Sequence, residues 1–87
     1  MMSNGALKIT LSRNGEDLYP FEVREAIARE RKGLRPQGAW RKWGDKVTFT
    51  TANHNAAVDV QRLAIRLGYI VEVSEVPPKP VKTRRDT

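Results

Sequence analysis

KVTFTTANHNAAVDVQRLAIRLGYIVEVSEV, residues 46–76, holds the pattern on which the fold turns. From Lys46 to Thr51 apolar and polar residues alternate, with Val47 and Phe49 inward and Thr48 and Thr50 outward, the period of a half-buried strand. Ala56, Val60, Leu63, Ala64 and Leu67 then recur at i, i+4, i+7, i+8 and i+11, one continuous face of a helix. Gly68 closes that helix, and Tyr69 to Val76 reads as a further strand. A helix between two strands predicts a right-handed crossover, with the flanking strands running parallel.

Upstream, Ala6 to Arg13 alternates Leu7, Ile9 and Leu11 with Lys8, Thr10 and Ser12, a first strand. Asn14-Gly15-Glu16-Asp17 is turn chemistry. Pro20 suits the first turn of a helix, where its missing N–H costs nothing. Phe21 to Lys32 then carries a modest stripe of Phe21, Val23, Ala26 and Ile27, ended by Gly33. Leu34 to Asp45 reads as a connection. The predicted order is β-α-β-α-β: an α/β chain of the α+β two-layer sandwich kind, a small sheet with two helices on one face. Residues 1–76 form the single domain, and 77–87 a Pro-rich, basic, flexible tail.

Composition narrows function before any motif does. The chain has 87 residues, 39% hydrophobic and 30% charged, which is globular composition. No apolar run approaches the ~20 residues of a membrane helix, so a soluble cytoplasmic protein without membrane contact is expected. Absence of cysteine excludes disulfides, thiolate nucleophiles and cysteine-based metal sites. His54 has no strong second ligand spaced to share a metal, and no cofactor motif appears. Asp17, Glu22, Asp59 and Glu72 read as surface carboxylates rather than an acid–base pair. A non-enzymatic protein is expected.

The net charge of +6 is unevenly spread. Between Arg29 and Lys46, seven basic residues face only Glu30 and Asp45, a net +5. The tail from Pro77 sets Lys79, Lys82, Arg84 and Arg85 against Asp86, a net +3. Such clustering is a basic patch, attractive to phosphates or to an acidic protein surface.

In pattern, residues 7–76 resemble the TusA/SirA-like family of sulfur-carrier proteins. The resemblance is carried by Asn14-Gly15 before Tyr19-Pro20, by Gly44-Asp45 before a strand, by Asp59-Val60 within a helix, and by Gly68-Tyr69 after it. It implies a two-layer α/β scaffold. The family's persulfide-bearing cysteine would fall at Tyr19, whose phenol cannot carry sulfane sulfur. The family's acidic loop is replaced by amides and His54, and its fourth strand has no candidate here. The resemblance therefore implies a shared scaffold without the chemistry, and fold does not fix function.

Three surface features remain. Arg31, Lys32, Arg35, Arg41 and Lys42 with Trp40 and Trp43 suit nucleic acid, cations for backbone phosphates and an indole for base stacking. Trp40 and Trp43 are three apart, so a helical turn would put both on one side; the competing expectation is that at least one ring caps the core. Asn53, His54 and Asn55 open the long helix and form either an anion site or an ordinary cap. Pro77, Pro80 and Lys82 fit a polyproline ligand, although a basic tail adding attraction explains them as well. The leading expectation is a nucleic-acid-associated module, monomer or homodimer. The alternative is a protein-interaction module, of the inhibitor or adaptor type found in phages and mobile elements, binding an acidic protein surface.

Overall fold

The computed structural model describes residues 5–76. The basic tail, with its polyproline pattern, lies outside the described residues. Six elements follow in order: β1 (Ala6–Ser12), α1 (Pro20–Glu30), β2 (Ala39–Trp43), β3 (Lys46–Thr51), α2 (His54–Arg66) and β4 (Ile70–Val76). The four strands form one antiparallel sheet in the order β2-β3-β1-β4. Both helices pack on one face of it, an α+β sandwich. This is the split β-α-β arrangement of ferredoxin-like topologies.

Two expectations need correction. The stretch between α1 and β3 is not a plain connection, because Ala39–Trp43 pairs with β3 across a two-residue Gly44-Asp45 turn. The observed order is thus β-α-β-β-α-β, the additional strand being β2, which lies between α1 and β3. The strands joined by α2 do run in the same direction, since each is antiparallel to β1. They are not neighbours, however: β1 lies between them.

The core follows the sequence periods. Ile9, Leu11, Val47 and Phe49 project from the two central strands onto Val23 and Ile27 of α1 and onto Ala56, Ala57, Val60, Leu63 and Ala64 of α2. Phe21 does not join the stripe of α1; it is 65% exposed, because at roughly 100° per residue it lies about opposite the Val23 and Ile27 side that meets the core. Ion pairs bind the two helices to each other, Arg31 to Asp59 at 3.2 Å and Arg66 to Glu30 at 3.2 Å.

The end of α2 is fixed by its backbone. Gly68, at φ +90°, lets its N–H reach the Ile65 carbonyl while the Tyr69 N–H reaches that of Ala64. These two bonds satisfy carbonyls the helix would otherwise leave open. Arg13 adds a side-chain bond to the Leu67 carbonyl and stacks its guanidinium 4.1 Å from the Tyr69 ring centre. The joint aims β4 back along β1.

Candidate nucleic-acid interface

β2 is an edge strand, and its alternation decides where the two indoles go. Side chains three apart on a strand lie on opposite faces. Trp40 pairs with Phe49 in the register and turns toward the helices, its ring centre 4.6 Å from that of Phe49. Trp43 turns to the other face and is 60% exposed. The expectation that a helical turn sets both on one side is therefore corrected: the backbone is extended there, and one ring joins the core margin while the other stays outside.

The face carrying Trp43 has no helix over it among the described residues. Register and alternation place Lys8, Arg41, Lys46, Thr50 and Glu72 on this same face. The amino groups of Lys8 and Lys46 each sit 5.6 Å from the Trp43 ring centre. Lys8 belongs to β1, two strands away, so the indole leans inward across β3 rather than beyond the sheet edge. Cation–ring contacts at exposed sites contribute ~0.5–1 kcal/mol, enough to favour this placement of the ring. Three cations and one acid, Glu72, make the face net positive.

The remaining predicted residues divide elsewhere. Arg31 is engaged by Asp59 across the helix pair. Lys42 points to the helix side, where its ammonium donates to Asp17 Oδ1 at 2.7 Å and to the Leu18 carbonyl at 2.6 Å, and lies 3.9 Å from the Tyr19 ring centre. Lys32 is exposed in the turn after α1. Arg35 lines a cleft of about 210 Å³ beside Arg24, Leu34, Pro36 and Trp40. The linear cluster is thus brought together only in part. Lys8 and Lys46 were not among the predicted site residues. The outward phase of Lys8 in the first strand was the signal that could have placed it.

The Lys42–Asp17 contact has a titration consequence. The hydrogen bond from Lys42 holds the Asp17 carboxyl below the usual carboxylate range, aided by the Tyr19 hydroxyl at 3.1 Å and opposed by partial desolvation. A carboxyl depressed on folding adds stability above its unfolded pKa, and this is lost as pH falls through the folded value. Carbon-detected NMR titration is expected to show Asp17 below a normal aspartate, and to show it returning to the usual range in Lys42→Met.

At the start of α2, the Asn53 side-chain oxygen accepts from the Asn55 N–H at 3.0 Å and the Ala56 N–H at 3.2 Å. Asn53 is therefore the N-cap, and two of the N–H groups an anion would use are taken up by its side chain. His54 and Asn55 are exposed. Among the described residues no group of three His, Cys, Asp or Glu side chains could hold a metal. No helix among them is long and apolar enough to cross a membrane. No family model, curated protein or solved structure matches the chain.

Proposed function

We propose that this protein is a non-enzymatic nucleic-acid-binding module, working in the cytoplasm, that uses the open face of its sheet. One observation carries the reading: an indole 60% exposed, with the amino groups of Lys8 and Lys46 each 5.6 Å from its ring centre, on a face no described helix covers. An unpaired base can stack on Trp43 while Lys8, Arg41 and Lys46 neutralise adjacent phosphates. Lys32 and Arg35, exposed in the loop before β2, are not on this face and add only to the overall positive charge. No described helix lies on this face to enter a major groove, so the arrangement favours single strands and backbone contacts over sequence readout.

The test is a fluorescence titration with mixed-sequence oligonucleotides at several salt concentrations. Three phosphate contacts to a single strand give a log–log salt slope of about −2. Trp43→Ala is expected to weaken single-strand binding by ~1–3 kcal/mol, the range found for losing one stacked base. Because Trp43 lies outside the core cluster, that variant should stay folded and lose no more than the small stabilisation of its two cation–ring contacts. Absence of binding at low ionic strength overturns the reading. A discrete acidic protein captured through the same face would replace it with the protein-interaction alternative.

A further inference from the structure

The two edges of the sheet carry opposite charge. β2 holds Arg41 and Lys42 with no acid, whereas β4 holds Glu72 and Glu75 with no base. Edge strands expose unpaired backbone groups that template pairing with another chain. Pairing like edges gathers charges of one sign at a single seam, while unlike edges attract.

Strand direction agrees with the charge. Neighbours alternate throughout the sheet, so a second copy in the same orientation brings its β2 antiparallel to β4. Both helix layers then lie on the same side. Matching the faces allows a register with Arg41 opposite Glu72. In that register Trp43 falls opposite Ile70, Trp40 opposite Val73 and Lys42 opposite Val71, so every residue of β2 finds a counterpart. Trp43, Ile70 and Val73 are 60%, 50% and 44% exposed within a single copy, and all three would be covered at least in part, so association competes with nucleic acid for Trp43 and Arg41.

We propose that copies of this chain associate head to tail, edge β4 of one pairing with edge β2 of the next. A heterologous contact of this kind repeats at each free end and gives an open-ended array rather than a closed dimer. The Lys42 amine is already engaged by Asp17 and Leu18, so Arg41 and Glu72 form the ion pair of the seam.

Sedimentation equilibrium of the full chain over a wide concentration range tests this without nucleic acid, so its outcome is independent of the binding reading. The weight-average mass is expected to climb past that of a dimer as concentration rises, and to fall back at high salt. Arg41→Glu and Glu72→Arg should each remain monomeric, with unchanged circular dichroism. An equimolar mixture of the two, or the double variant, should associate again. A monomer at every concentration overturns the proposal. A closed dimer indifferent to Arg41→Glu also overturns it, and assigns the contact to β4 against β4. Single variants that associate like the parent chain, or a mixture that fails to recover, overturn it equally.

Discussion

Phe49→Ala is expected to be the most damaging single substitution, lowering the free energy of unfolding by ~3–5 kcal/mol. Phe49 is fully buried and is the largest such side chain of the core. It pairs with Ile9 on one side and Trp40 on the other, so it joins the central strand pair to the edge hairpin. Its loss removes both the transfer term and the packing that keeps Trp40 in place. Small domains have a modest margin, ~0.05–0.15 kcal/mol per residue, so much of this chain's stability would go. Urea unfolding followed by circular dichroism measures the drop. A cost below 1 kcal/mol would mean that the edge hairpin contributes little to the cooperative unit.

Gly38→Ala comes second, at ~1–3 kcal/mol, the usual range for overpacking a filled site. A Cβ at this position would meet Phe49 Cε1 at 2.6 Å and the Thr50 carbonyl oxygen at 2.6 Å. Real Cβ atoms do not approach so closely, so the chain entering β2 must move away from β3. The two collisions predict a particular coupling. Phe49→Leu clears the ring but leaves the Thr50 carbonyl, which is backbone, so Gly38→Ala should still destabilise a Phe49→Leu background. A double-mutant cycle reads this directly. Full rescue by Phe49→Leu would assign the whole cost to the ring.

The contrast between β3 and β2 shows what the sequence could reveal. Val47 and Phe49 alternate with threonines because β3 is central and one of its faces is sealed by helices. The face of α2 is legible for the same reason: Ala56, Val60, Leu63 and Ala64 are buried at the spacing their chemistry requires. β2 obeys a weaker constraint. Only Trp40 is shielded along it, so Ala-Trp-Arg-Lys-Trp carries no alternation of hydrophobicity and reads as loop. The two-residue Gly44-Asp45 turn ahead of β3 was the available signal, since such turns join hairpin strands.

Sheet order was also beyond local reading, because nothing within residues 46–76 tells that β1 inserts between the strands flanking α2. The candidate site was half legible for a related reason. Clustering along the chain located Arg41 and Trp43, but Lys8 reaches the indole only through pairing between distant segments. Arg31 and Lys42 instead met carboxylates supplied by other elements, Asp59 and Asp17. Charge density along a sequence is blind to such neutralisation.

The opposed orientation of Trp40 and Trp43 gives the molecule two optical probes that answer different questions. The indole against Phe49 should emit at shorter wavelength and resist soluble quenchers until the polypeptide unfolds. Its counterpart, bathed in solvent and bracketed by ammonium groups, should emit further to the red and be quenched more readily by iodide than by caesium. Emission spectra resolved by quencher would then follow conformational integrity and surface occupancy separately, in one cuvette and without any attached dye.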